Sequence, residues 1–102
     1  MIGKRPTGEN ATRVKAAPKK VQFEFLAPHA HEVSIAGEFN HWDARANPLK
    51  KNKNGIWKTS IPLAAGRYEY RFLKDGNWEN DRSCSVCVPN HFGSLNCVRI
   101  VG

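Results

Sequence analysis

Gly66-Arg67-Tyr68-Glu69-Tyr70-Arg71-Phe72-Leu73-Lys74-Asp75-Gly76-Asn77-Trp78 is the stretch that decides the fold. Tyr68, Tyr70 and Phe72 alternate with Arg67, Glu69 and Arg71, so rings fall on one side of a strand and charges on the other. Ala65-Gly66 turns the chain into this strand, and Asp75-Gly76 is a hairpin-type turn out of it toward Trp78. The ringed face needs a second apolar layer to cover it.

The same period recurs on both sides. Val21, Phe23 and Phe25 alternate with Gln22 and Glu24, and Ala27-Pro28-His29-Ala30-His31 then makes a turn around the fixed φ of Pro28. Val33 and Ile35 share a face of a second strand that ends at Gly37. Asn47-Pro48 and Asn52-Lys53-Asn54-Gly55 punctuate a polar connection, where Asn54-Gly55 predicts a tight turn because both residues tolerate φ > 0. Trp57, Thr59, Ile61 and Leu63 then line one face of a third strand, against Lys58 and Ser60. Pro62 has no N–H for a ladder, so that strand ends or lies on an edge there. Residues 80–95 show no regular period, and Asn96 to Val101 read as a closing strand. Short strands separated by turns, with no sustained helical period, indicate an all-β sandwich.

Two tryptophans stand outside this alternation. Gly37-Glu38-Phe39-Asn40-His41-Trp42-Asp43 and Lys74-Asp75-Gly76-Asn77-Trp78 each follow a strand-like run with a polar loop that carries an indole. Two such loops in matching contexts suggest a paired aromatic surface. Trp57 shares a face with Ile61 and Leu63 and belongs to the core.

At 102 residues the chain is one domain with room for a core. No apolar run approaches the roughly 20 residues of a bilayer span, and the N-terminus lacks the apolar region of a secretory signal, so a cytoplasmic location is expected. Three cysteines argue against a disulfide framework. Residues 1–20 hold Lys4, Arg5, Arg13, Lys15, Lys19 and Lys20 against Glu9 alone, a net of +5. Residues 21–102 hold ten bases and eight acids. The charge thus belongs to a tail that also holds Gly3, Pro6, Gly8 and Pro18, and that composition predicts a disordered segment before a domain at 21–102.

With these residues in order, the sequence resembles carbohydrate-binding module family 48, found in the beta subunit of AMP-activated protein kinase and at the front of isoamylases and branching enzymes. The resemblance runs from Val21 to about Val101. It rests on Val33-x-Ile35-Ala36-Gly37-x-Phe39-Asn40-x-Trp42, Gly55-x-Trp57, Gly66-x-Tyr68-x-Tyr70-x-Phe72, Asp75-Gly76-x-Trp78, and Pro89-Asn90-x-Phe92-Gly93-x-x-Asn96. It implies that Trp42 and Trp78 stack on glucose rings. By position, Arg71 hydrogen-bonds sugar hydroxyls where the kinase-subunit members have lysine. Asn96 supplies another polar contact, and Phe92 stands at or beside an apolar loop contact, on a loop one residue longer. The expected fold is an immunoglobulin-like β-sandwich of antiparallel strands. The expected function is non-catalytic binding of α-1,4-linked glucan (glycogen, starch or a maltooligosaccharide), with a partner enzyme or kinase brought to the polysaccharide.

The residue types suit that ligand. A pyranose has apolar C–H faces and a rim of hydroxyls, and an indole covers such a face at small entropic cost. About 50–60 Å² of apolar surface per stacked ring corresponds to roughly 1.5 kcal/mol. Two such contacts, set against association entropy, predict affinities on the order of micromolar to millimolar. Arg71 lies on the polar face of its strand, and its planar fork of donors can bridge adjacent hydroxyls. Asn96 both donates and accepts.

Other readings compete. Cys84-x-x-Cys87 with His91 and Cys97 invites zinc, but one C-x-x-C without a second pair is weak, and reduced structural thiols are the expectation. Glycoside hydrolysis needs two carboxyl groups across the scissile bond in a pocket that separates their pKa values. Nothing in the spacing of the acids suggests that, and with the sequence ending at Gly102 a stand-alone, non-enzymatic module is expected. A protein-interaction scaffold, or a nucleic-acid or anionic-surface binder using the basic tail, remains the alternative.

Overall fold

The computed structural model of the protein describes residues 18–102. Of the basic segment expected at 1–20, residues 1–17 lie outside the described residues. Among the described residues eight strands follow in order: β1 (Lys19–Leu26), β2 (Val33–Gly37), β3 (Lys50–Lys51), β4 (Ile56–Leu63), β5 (Gly66–Lys74), β6 (Asn77–Glu79), β7 (Cys87–Pro89) and β8 (Leu95–Val101). They form two antiparallel sheets. One has the order β1-β4-β3; the other has the order β2-β5-β8-β7, with β6 also paired to β5. This is the all-β sandwich that the alternation predicts, with the immunoglobulin-like arrangement that the resemblance implies.

The core fills the space between the sheets. Phe23, Phe25, Trp57, Ile61 and Leu63 from one sheet meet Val33, Ile35, Tyr70, Phe72, Cys97 and Val101 from the other. Aromatic rings bridge the layers: Phe23 and Tyr70 meet edge to face at 5.1 Å, and Phe25 lies 4.7 Å from Phe72. Such pairs contribute about 0.5–1.5 kcal/mol each beyond the area they bury. One buried polar pair sits among them, with the Tyr70 hydroxyl donating to Asp81 at 2.7 Å. Burial and that bond both hold the phenol in its protonated form.

The structure refines several local expectations. β1 starts at Lys19 rather than Val21, because Lys19 and Lys20 pair with Leu63 and Pro62 across β4. Pro62 lies within β4, but β3 pairs only with Trp57 and Lys58, so Pro62 occupies an open edge. At Asn54-Gly55 only Gly55 takes a left-handed φ, of 80°. The turn is organised by Asn52, whose side-chain oxygen accepts the N–H groups of Asn54 and Ile56. A Cβ at Gly55 would come within 2.7 Å of Pro28. Asp75 and Gly76 do both have positive φ, the primed hairpin geometry that joins β5 to β6. Asp75 also accepts the N–H groups of His31 and Glu32 at 2.8 Å, which ties this turn to the entrance of β2. No helix among the described residues is long and apolar enough to cross a membrane.

Candidate functional site

β5 organises the site as it organises the fold. Its inward residues end in the core, while Glu69 and Arg71 project from the opposite face. Everything else at the site reaches this outer face from neighbouring elements.

Trp42 arrives by way of a backbone that has no room for a side chain at Gly37. A Cβ there would lie 2.6 Å from the Glu69 carbonyl oxygen and 2.8 Å from Tyr70 Cβ. A 3-10 turn, Glu38–Asn40, follows. Phe39 points inward against Phe23, with centroids 5.6 Å apart. Asn40 locks the turn: its Oδ1 accepts the Gly37 N–H, and its Nδ2 donates to Ile35 O and Asn47 Oδ1. His41 and Trp42 then adopt left-handed φ of 57° and 58°, and the Trp42 N–H returns to Gly37 O at 2.9 Å. The result is one ring half-buried against the core and the next large ring exposed.

Trp78 reaches the surface differently. It lies in the short strand β6, directly opposite Leu73 of β5, rather than in an open loop. It is 45% exposed, and Trp42 is 38% exposed. The Arg71 guanidinium lies 6.0 Å from the Trp78 ring centroid, and its Nε donates to Asn80 Oδ1 at 2.8 Å. Arg71 is thereby held against the indole instead of sweeping freely.

The loop between β7 and β8 forms the remaining wall. Asn90 Oδ1 accepts the N–H groups of Phe92 and Ser94 at 2.9 and 3.1 Å, and Gly93 takes a φ of 79°. Phe92 stands at the tip, 91% exposed. Asn96, on β8, is buried, and its amide is engaged on both sides by Asn90 and Glu69.

Trp42, Trp78, Arg71, Phe92 and Asn96 all line one open groove of about 790 Å³. The structure therefore brings together the five residues expected from the sequence to contact sugar. It also adds Glu38, Glu69 and His91, none of which the sequence reading had placed at a sugar site. Glu38 Oε1 accepts the Glu69 N–H at 2.8 Å, continuing the ladder of β5 beyond the end of β2. The Glu69 carboxyl is held below its ordinary 4.5, first by the Asn96 amide, then by Arg67 and the nearby His91, against the opposing effect of burial. The outward phase of Glu69 was legible in the alternation of β5; its partners were not.

The cysteines lie apart from the groove lining. Cys84, Cys87 and Cys97 are free thiols, with Cys87 opposite Cys97 in the β7–β8 pair. Burial pushes the Cys97 thiol up to about 12. Among the described residues, no group of three or more His, Cys, Asp or Glu side chains is placed to hold a metal ion.

This geometry can be set beside known proteins. Residues 8–86 match the family description carbohydrate-binding module 48 (isoamylase N-terminal domain). The chain belongs to carbohydrate-binding module family 48. The match includes Trp42, Arg71 and Trp78 and ends before Phe92 and Asn96. Within family 48 the chain is similar to part of the 1,4-alpha-glucan branching enzyme of Aquifex aeolicus (strain VF5), 42% identical over 65 residues that make up 60% of this chain and 10% of that one. The branching enzyme of Prochlorococcus marinus (strain NATL2A) is 39% identical over 79 residues, 74% of this chain and 10% of the enzyme. That of Thermosynechococcus vestitus is 48% identical over 52 residues, 49% of this chain and 7% of the enzyme. The chain thus spans about a tenth or less of the length of these relatives.

Proposed function

We propose that the groove binds α-1,4-linked glucan without catalysing its cleavage, with Trp42 and Trp78 as the stacking platform. The observation that carries this reading is that two exposed indoles and a tethered guanidinium line one open groove on the outer face of β5. Flat rings cover the apolar faces of successive glucose units, and Arg71 donates to the hydroxyl rim. Phe92 offers further apolar area from the loop, and Asn96 shapes the wall beneath it.

The charge of the groove supports binding over hydrolysis. A general acid in glycoside hydrolysis needs a raised pKa, whereas the Glu69 carboxyl is lowered. The same carboxylate, with Glu38, disfavours a phosphate backbone in the groove, which weighs against the nucleic-acid reading. Membership of a carbohydrate-binding family fits a targeting role, in which the module brings a partner protein or enzyme to a storage polysaccharide.

The test is an NMR titration with maltoheptaose that reads the three indole N–H signals. Trp42 and Trp78 are expected to move together, with a dissociation constant on the order of micromolar to millimolar, and Trp57 to stay in place. Three unmoved indoles would remove the proposal.

A further inference from the structure

The hydrogen bonds beneath the groove run in one direction. Asn90 Oδ1 is committed as an acceptor of the Phe92 and Ser94 N–H groups, so its Nδ2 must donate. It donates to Asn96 Oδ1 at 3.0 Å, which makes the nitrogen of Asn96 the donor on the other side. That nitrogen reaches Glu69 Oε1 at 3.0 Å. The chain begins at the backbone of the Phe92 loop and ends on a carboxylate of β5.

The two ends differ in what they have left to offer. Asn96 is only 7% exposed, with both amide ends engaged, so little of it faces a ligand. Glu69 also accepts the Arg67 guanidinium at 3.1 Å through Oε2, yet its side chain remains 23% exposed in the groove. An ionised carboxylate has about four acceptor sites, of which these bonds occupy two. Glu69 lines the same groove as Arg71, two residues along β5.

We propose that Glu69 accepts a hydrogen bond from a glucose hydroxyl, forming with Arg71 an acceptor–donor pair that selects neutral glucan. This inference rests on the glucan reading above. The indoles cover sugar faces but read no hydroxyl, whereas a carboxylate–hydroxyl bond is charge-assisted and directional. Adjacent sugar hydroxyls both donate and accept, so one can give its proton to Glu69 while its neighbour receives from Arg71. A glucan carrying phosphate would meet the Glu69 and Glu38 carboxylates instead, a built-in repulsion. The charged groups that face Glu69 are Arg67 and Arg71 on its own strand, Glu38 from the 3-10 turn and His91 from the β7–β8 loop.

Two measurements on the full chain test this. Glu69→Gln keeps the shape and removes the charge, and its affinity for maltoheptaose should fall about tenfold at pH 7. In the wild type, carbon-detected NMR of the Glu69 carboxyl should show its titration midpoint falling by about 1 pH unit when maltoheptaose saturates the groove, since a ligand that prefers the ionised form tenfold must hold it ionised to lower pH. The second measurement needs no variant and decides the matter if E69Q folds poorly. An E69Q affinity within about twofold of wild type, or an unmoved midpoint, overturns the proposal. Failure of the wild type to bind maltoheptaose would instead overturn the glucan reading, and this inference with it.

Discussion

Trp57 and the pair Trp42 and Trp78 are the same side chain put to opposite ends. Trp57 sits in phase with an eight-residue strand, is 7% exposed, and donates its indole N–H to Ala27 O at 2.8 Å. Trp42 follows a 3-10 turn and Trp78 occupies a three-residue strand, and both stand at the surface of one groove. The difference teaches that phase within a long strand commits a tryptophan to the interior, whereas a short, turn-bounded context leaves it free to face solvent.

The sharpest way to break this contrast is to truncate each side of it. Trp57→Ala removes a ring that packs between the sheets and leaves Ala27 O with the Ala30 N–H as its remaining donor. It should cost about 3–5 kcal/mol in chemical denaturation, enough to unfold a marginal domain. The double variant Trp42→Ala, Trp78→Ala should do the reverse. Loss of two stacked rings is worth about 3 kcal/mol, or roughly a hundredfold in affinity for maltoheptaose, while the melting temperature stays within a few degrees of wild type. A melting point that collapses in the double variant would show that the exposed rings are structural after all.

A milder change probes the interior alone. Tyr70→Phe leaves the Asp81 carboxylate with only its Ser83 contacts, at 2.9 Å from the backbone and 2.6 Å from the hydroxyl. Because Asp81 is buried, the expected loss is about 1.5–3 kcal/mol, read by denaturation, with glucan binding unchanged.

The smallest expected effect comes with pH. Glu69 and Asp75 both have folded-state pKa values below their ordinary 4.5 and 3.8, Asp75 chiefly because the Glu32 N–H bonds its carboxylate. A depressed carboxyl contributes stability above its unfolded pKa and loses that contribution as pH falls through the folded value. The melting temperature should therefore hold from pH 7 to about 5 and decline below about 4. Asp75→Asn should flatten that decline, and an equal slope in the variant would remove Asp75 from the account.

Much of this was legible in the residues. β1, β2, β4, β5 and β8 have at least five residues each, long enough for alternation to show, and the inward set Phe23, Ile35, Trp57, Tyr70 and Phe72 follows from it. β3, β6 and β7 have two or three residues, too few for any period, and are set by pairing with a longer neighbour. The groove was legible through its rings and through Arg71, because turn chemistry and strand phase are local. Glu69 illustrates what was not. Its outward direction is a local property, but its bond to Asn96 spans 27 positions and the support from Glu38 spans 31. No window along the chain contains both members of either contact.

The backbone at His41 and Trp42 has one further consequence. Bulky residues at such φ values carry a conformational penalty of about 1–3 kcal/mol each, which glycine would escape. Selection for heat resistance alone would therefore drift toward glycine at positions 41 and 42, and a hardened variant obtained that way would have discarded one of the two exposed indoles.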